Sequence, residues 1–290
     1  MIERTAVITG ASQGLGEALA RRFWQAGYHV HLLARNVDKL DALRSELVAT
    51  TSLVASGRQR CVAHGCDLAE PDAVEAFARR LEEDAGSVDV LVNNAAIHGP
   101  IGSFAGSDRV GWERAIRVDL LAPVELCRAV LKMMPARGGS IINLSGGGAT
   151  GPRENFSAYA TAKAGLVRFS ETLAAEVRER GIRVNCVAPG AMPTSMLGEV
   201  LERGAEAAGG REYALAQKVF AEGGASMQGV ADLVLFLASE ESAGITGKLV
   251  SAVWDQWVDW PAHATELAAS DVYTLRRIAG RDRNMTWGDK

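Results

Sequence analysis

No stretch of this sequence approaches the roughly 20 apolar residues that crossing a bilayer requires, so no transmembrane segment is expected. Strong charge is missing too. A formal net charge of −4 offers no basic face on which nucleic acid or an anionic membrane surface could condense. Cysteine is scarce: Cys61, Cys66, Cys127 and Cys186 form no C-x-x-C pair, and no histidine cluster joins them at metal spacing. Buried, reduced thiols in a cytoplasmic protein are therefore expected, with no disulfide and no metal site. No charged-then-apolar leader precedes Met1–Thr9, which already reads as a core strand. Internal repeats, low-complexity runs and Pro/Ser linkers are also absent, so the 290 residues are read as one unit, a size that single α/β domains commonly reach.

What is present is a regular alternation. Apolar, β-rich runs at Thr5–Thr9, His29–Ala34, Arg60–His64, Val88–Val92, Ser140–Leu144, Ile182–Val187 and Lys248–Val253 read as strands. Between them lie segments of helical periodicity at Leu15–Ala26, Val37–Ala49, Pro71–Ala85, Trp112–Met134, Ala158–Arg180 and Gly229–Ser239. Strands that are continuously apolar and separated by helices imply a doubly wound parallel sheet covered on both faces. Two segments break this rhythm. Residues 196–227, rich in Gly, Ala and charge, read as a mobile insertion over a site. Residues 254–290 read as an extension beyond a domain of residues 1–253.

Thr9-Gly10-Ala11-Ser12-Gln13-Gly14-Leu15-Gly16 joins the first strand to the first helix. Glycines there permit a tight turn and close approach to a pyrophosphate, and the helix N-terminus supplies free N–H donors. A glycine-rich turn alone is weak evidence; its place within a βαβ unit makes it a dinucleotide site. Tyr159 and Lys163 are four apart in a helix and share one face. A tyrosine of pKa ~10 is a poor base near neutrality, and a neighbouring ammonium is expected to lower that value. Such a pair can move the proton of a substrate hydroxyl while hydride moves to or from a nicotinamide.

These motifs resemble those of the short-chain dehydrogenase/reductase family. The T-G-x-x-x-G-x-G spacing is that family's form. Asp67-Leu68 matches its adenine-contacting acidic position, Asn93-Asn94-Ala95-Ala96 its N-N-A-G motif, Tyr159 to Lys163 its Y-x-x-x-K motif, and Pro189-Gly190 with Thr194 its nicotinamide-amide segment. The resemblance spans about residues 3 to 253. It implies a single-domain Rossmann fold, α/β with about seven strands, and an oxidoreductase that transfers hydride between a nicotinamide cofactor and a small alcohol or carbonyl substrate. It implies cofactor contacts from Gly10, Ser12, Gln13, Gly14, Leu15, Gly16, Arg35, Asp67, Leu68, Asn94, Tyr159, Lys163, Pro189, Gly190 and Thr194. It also implies a homotetramer or homodimer joined through the long helices on either side of Ser140–Leu144.

Two positions depart from the family. Where the family carries Asn on its fourth helix this chain has Asp119, which cannot donate when ionised. Where the family carries its catalytic serine an ungapped alignment gives Gly146, with Ser145 one residue early. A bulge could turn the Ser145 hydroxyl into the pocket, while strand alternation would point it away and leave a backbone N–H of the glycine run to act; both remain open. At the end of the second strand, Ala34 stands where NAD-preferring members place an acid, and Arg35 follows. A guanidinium there suits a 2′-phosphate, which favours NADP(H) over NAD(H). An epimerase or dehydratase using bound cofactor transiently, or a non-catalytic dinucleotide-binding regulator, are the competing readings. His98 is expected to be exposed, His29 and His31 structural, and Asp38 and Lys39 surface residues at a helix start. Trp254, Trp257 and Trp260 are read as packing residues. The extension that carries them is expected to cover an active-site entrance, docked through Arg276 and Arg277.

Overall fold

The computed structural model of the chain describes residues 3–50, 59–285 and 287. Seven parallel strands form one sheet: β1 (Thr5–Thr9), β2 (His29–Ala34), β3 (Cys61–Gly65), β4 (Val90–Asn93), β5 (Gly139–Leu144), β6 (Ile182–Ala188) and β7 (Leu249–Ser251). Their order is β3-β2-β1-β4-β5-β6-β7. The order reverses between β1 and β4, which register through Ala6–Val90, Val7–Leu91 and Ile8–Val92. In an open parallel sheet the carboxyl ends of the strands diverge at such a reversal and leave a crevice.

Both faces of the sheet are covered, as the uninterrupted apolar runs require. On one face lie α1 (Gly14–Gln25), α2 (Val37–Thr50) and α9 (Met227–Ala238), burying Leu19, Phe23, Leu40, Val234 and Leu237. On the other lie α3 (Pro71–Ala85), α5 (Ala122–Met133) and α6 (Ser157–Glu176), burying Phe77, Leu81, Leu126, Val130 and Leu173. The expected Trp112–Met134 helix is α4 (Arg109–Ile116) running into α5 through a π-helical turn at Arg117–Leu121. Such a turn widens the helix by one residue and is frequent at functional sites. Here it carries Asp119, which is completely buried.

The segment 196–227, expected as an irregular insertion, is a helical hairpin. It comprises α7 (Ser195–Ala208) and α8 (Gly210–Glu222), which meet at Gly209. Val200, Ala208, Ala216 and Val219 form its buried face. Five glycines between Gly198 and Gly223 weaken the helical pattern in sequence, and Gly204, at φ +77°, does break α7 locally.

The extension does not cover the entrance of its own cleft: among the described residues, none beyond Val253 lines it. It packs on the body instead. Trp257 contacts Phe236, and Trp260 is buried against Tyr273 at 4.5 Å. Leu267 of α10 (Ala264–Ala269) joins the core. The backbone N–H of Leu249 in β7 donates to the Tyr273 carbonyl, so the extension pairs with the last strand. Lys248 Nζ donates to the carbonyls of Ser270 and Val272, both at 2.9 Å. Arg276 pairs with Asp271 and Asp282 inside the extension, not with the body; docking runs through backbone bonds because these two acids lie within its own reach.

Candidate active site

A cleft of about 700 Å³ opens at the β1/β4 crevice. Its floor is the turn between β1 and α1. Gly10 and Gly14 have φ of +67° and +57°, a region that side chains with a Cβ avoid. A Cβ on Gly16 would overlap the Gly10 carbonyl, and one on Gly10 would lie 2.9 Å from Ala95 Cα. The glycines thus let the turn close against the end of β4. Asn94 fastens that closure: its Nδ2 donates to the Thr9 carbonyl at 2.9 Å, and its backbone N–H donates to Thr9 Oγ1 at 2.9 Å. Ser12, Gln13 and Leu15 line the same turn. Gln13, the N-cap of α1, forms no side-chain capping bond, which leaves the dipole end facing the cleft.

Arg35 is exposed at the outer end of the cleft, and Leu68 is buried in its wall. Asp67 accepts from the Ala69 N–H at 2.9 Å and from Arg114 at 2.7 Å. Partial burial opposes ionisation of Asp67, but these donors prevail and hold its carboxyl below the usual range. Pro189 and Thr194 line the opposite wall; Gly190, at φ +82°, turns the chain against Val253 just behind it. Lys39 is exposed in the first turn of α2, as the sequence suggested, and also belongs to this cleft. It lines the cleft beside Arg35 and reaches Gln13 Oε1 at 3.3 Å, because α2 starts immediately after the β2 turn and its first turn faces the crevice.

At the inner end, Tyr159 and Lys163 stand one turn apart on α6, both buried. Lys163 Nζ lies 5.6 Å from the centre of the Tyr159 ring and donates to the Leu144 carbonyl at 2.9 Å. It also lies 3.8 Å from Asp119 Oδ2. Asp119 Oδ1 accepts from the Ile97 N–H at 2.9 Å, while Oδ2 is buried and accepts no hydrogen bond. Burial pushes the Asp119 carboxyl up to about 6, against the pull of Lys163 and the Ile97 N–H. Burial also lowers the Lys163 ammonium, which the Asp119 charge partly offsets. The expected depression of the Tyr159 pKa is not seen. Burial raises it, and the Asp119 carboxylate raises it further, so the phenol is held protonated.

Ser145 follows directly on β5, with its backbone N–H on the Val187 carbonyl at 2.8 Å. It is buried and lines the cleft, and its Oγ has no hydrogen-bond partner. Gly146 lies directly beneath the tyrosine: a Cβ there would overlap Tyr159 Oη and come within 2.8 Å of Cζ. A buried polar chain backs this corner. Asn93 Nδ2 donates to Asn143 Oδ1 at 2.8 Å, and Asn143 Nδ2 donates to Ser170 Oγ at 2.7 Å, linking β4, β5 and α6.

His98 was expected in solvent and is buried. The α7–α8 hairpin covers the loop after β4, so the imidazole packs edge-on against Phe156 and Tyr159, each at 5.3 Å. Its Nδ1 lies 3.2 Å from Glu199 Oε2 on α7. The same hairpin is held by Arg153, which lies over the Phe156 ring at 3.8 Å and pairs with Glu212 on α8 at 2.7 Å. Lys39, Arg114, His98, Arg153 and Glu199 carry no motif of their own. Only the fold gathers them.

A family model described as short chain dehydrogenase matches residues 4–204. The chain belongs to the short-chain dehydrogenase/reductase family. It is 35% identical over 249 residues to nodulation protein G of Rhizobium sp. (strain N33), covering 85% of this chain and 94% of that one. It is 34% identical over 247 residues to 2,3-dihydro-2,3-dihydroxybenzoate dehydrogenase of Bacillus subtilis (strain 168), covering 84% and 92%. The structure of L-sorbose reductase from Gluconobacter frateurii, complexed with NADPH and L-sorbose, superposes with a TM-score of 0.75 at 32% identity, covering 86% and 94% of the two chains. This short-chain dehydrogenase/reductase is thus an NAD(P)-dependent oxidoreductase of the Rossmann fold. Its cleft fits the cofactor: a tight glycine turn and helix N-terminus suit a pyrophosphate, and cationic Arg35 and Lys39 stand at the outer end with Tyr159 and Lys163 at the inner. Among the described residues no cluster of metal-ligating side chains occurs, and no helix is long and apolar enough to cross a membrane.

Proposed function

We propose that the enzyme interconverts a small ketone and its alcohol with NADP(H), using Tyr159 as the general acid and base. The observation that carries this reading is the pair Tyr159 and Lys163, backed by the buried Asp119, at the inner end of a cleft whose outer end holds Arg35 and Lys39. The turn from Gly10 to Gly16, with Asp67, Leu68, Asn94, Pro189, Gly190 and Thr194, would hold the cofactor, and Arg35 and Lys39 would pair with a 2′-phosphate. When bound, the nicotinamide supplies or accepts the hydride.

The protein's own groups handle the proton. Tyr159 Oη donates to the carbonyl oxygen as negative charge develops there during reduction, and takes the proton back during oxidation. Ser145 Oγ, unpartnered and buried beside it, is the second donor. Lys163 holds its charge near the phenol and Asp119 holds Lys163. The hairpin α7–α8 closes the site from water. The enzyme is read as a cytoplasmic homodimer or homotetramer joined through α4–α5 and α6. Exposed Val110 on α4 and Leu121 on the π-helical turn that leads into α5 support the assembly, and the free cysteines support the compartment; light scattering of the purified enzyme tests the first.

Cofactor titrations and turnover of the wild type, Arg35→Ala, Lys39→Ala and Tyr159→Phe test the reading. NADPH should bind more tightly than NADH, and each cation removal should weaken NADPH binding about tenfold or more while leaving NADH nearly unchanged. Tyr159→Phe should abolish turnover with cofactor affinity intact. Equal affinity for the two cofactors in the wild type would overturn the NADP(H) assignment, and an active Tyr159→Phe would overturn the proton chemistry.

A further inference from the structure

The inner end of the cleft carries one charged group that the proton chemistry leaves unused. Glu199, on the second turn of α7, lines the cleft together with Tyr159 and Ser145. A carboxylate only accepts, so the bond to His98 fixes the imidazole as donor through Nδ1. His98 is buried and rests on the Tyr159 ring, so it aims Glu199 relative to the reacting hydroxyl. Phe156, Met196 and Val200 make the surroundings apolar. The cations nearest Tyr159 are engaged elsewhere: Lys163 with Leu144 and Asp119, Arg153 with Glu212. Among the described residues Glu199 takes no hydrogen bond besides that from His98. The Glu199 side chain is half exposed, so its second oxygen is free to accept from a molecule in the cleft and is desolvated once a substrate enters. A desolvated carboxylate is costly unless a donor meets it.

We propose that Glu199, oriented by His98, accepts a hydrogen bond from a hydroxyl adjacent to the substrate carbonyl, and so selects hydroxylated carbonyl compounds over simple ketones and over keto acids. This rests on the assignment of Tyr159 as proton donor to the carbonyl. Glu199 is the specificity-determining residue and His98 a positioning residue that acts through it. A keto acid would place a second negative charge against Glu199 where no uncommitted cation answers it.

Three probes of one carbon skeleton test the proposal in NADPH-dependent reduction: 1-hydroxybutan-2-one, butan-2-one and 2-oxobutanoate. The wild type should favour the hydroxyketone over butan-2-one by about tenfold or more in kcat/KM, mainly through KM, because a site built to bond a hydroxyl discriminates against its absence. Glu199→Ala should erase that preference while butan-2-one kinetics change little. Glu199→Gln, which keeps an acceptor and removes the charge, should retain part of the preference and improve 2-oxobutanoate. In the Glu199→Ala background His98→Gln should leave the hydroxyketone ratio unmoved; a purely structural His98 would instead lower kcat for both ketones alike in either background. Thermal midpoints report folding separately, and since Glu199 is half exposed those of its two variants should match the wild type. A wild type that reduces butan-2-one as well as the hydroxyketone, or a Glu199→Ala that keeps the preference, overturns the proposal and leaves the role of Tyr159 standing. A wild type that reduces none of the three overturns the proposal, and a wild type that also reduces nothing across a wider carbonyl panel overturns the reading of Tyr159 with it.

Discussion

Gly146 turns a missing side chain into a constraint. The family serine falls at this position, yet a Cβ here would overlap the Tyr159 hydroxyl. The tyrosine occupies the space that a serine would need, and its ring is walled by His98 and by Lys163. Restoring the family residue should therefore harm the enzyme. Gly146→Ser should lower kcat about tenfold or more by displacing Oη, since a misplacement of about 1 Å can cost 10²-fold; steady-state kinetics check this, and Gly146→Ala should behave the same way because the clash comes from Cβ. Asp119 is the second departure. Its charge raises the Tyr159 pKa and its own carboxyl is pushed up to about 6 by burial. Removing that charge in Asp119→Asn should let Tyr159 ionise at lower pH. The rise of alcohol oxidation with pH should then move to lower pH, and an inflection near the Asp119 value should vanish from the profile. Unmoved pH–rate curves would show that Asp119 does not act on the phenol. Glycines 10, 14 and 16, Tyr159 and Lys163 were legible in the sequence because a motif fixes their spacing, and Asp119 through its alignment with the family's fourth-helix Asn. The orientation of Ser145 was not, since alternation at the end of a strand depends on the turn that follows. His98 was misread because its burial comes from a hairpin a hundred residues away.

Among elements, β2 and β3 hold a buried histidine pair. His31 on β2 and His64 on β3 stack at 5.2 Å and share a hydrogen bond of 3.0 Å between Nδ1 and Nε2. One ring must donate and the other accept, so the pair needs at least one neutral ring. Burial, and then the neighbouring His64, push His31 down to about 4, and burial lowers His64 as well. In the unfolded chain each titrates near 6.5. Between those values the unfolded state binds more protons, so stability is full above about pH 6.5 and is lost as the pH falls toward 4. The His31 contribution alone should amount to roughly 3 kcal/mol across that window. Urea midpoints at pH 7.5 and 5 should differ markedly in the wild type, and the difference should shrink in His31→Gln; an unchanged difference would assign the acid sensitivity to other groups. The strands themselves were readable to within a residue or two, because apolar β-rich runs between helices leave little choice. The hairpin α7–α8 was not readable, since its glycines dilute helical periodicity and its buried face is completed by Phe156 from elsewhere in the chain.

At the scale of the whole molecule, the extension solves a problem of sheet edges. β7 is one of the two edge strands, and an unpaired edge invites pairing with another chain. Tyr273 bonds that edge through its carbonyl, Trp260 and Leu267 bury themselves against the same end of the sheet, and Leu275 meets α6 through bonds to Glu171 and Arg168. Sequence placed the aromatic residues in a packing role but not the surface they pack on, because the contact joins segments that no local pattern relates. Exposed Trp254, at 85% accessibility, shows that the aromatic content is not wholly spent on this contact. Since no described residue of the extension lines the cleft, its removal should act on stability rather than on chemistry. A chain ending at Trp260 loses the Leu267 and Tyr273 contacts and uncovers β7. Its thermal midpoint should fall by roughly 5–10 °C, as expected for a few kcal/mol in a chain of this size, and it should aggregate more readily on heating. Its kcat/KM per folded molecule should stay within a factor of about two of the full chain, because Tyr159, Lys163 and the glycine turn are anchored by β1, β4, β5 and α6 alone. Calorimetry and steady-state kinetics on the truncated chain separate the outcomes: a large loss of kcat/KM with an unchanged midpoint would instead place the extension at an active site of a neighbouring subunit.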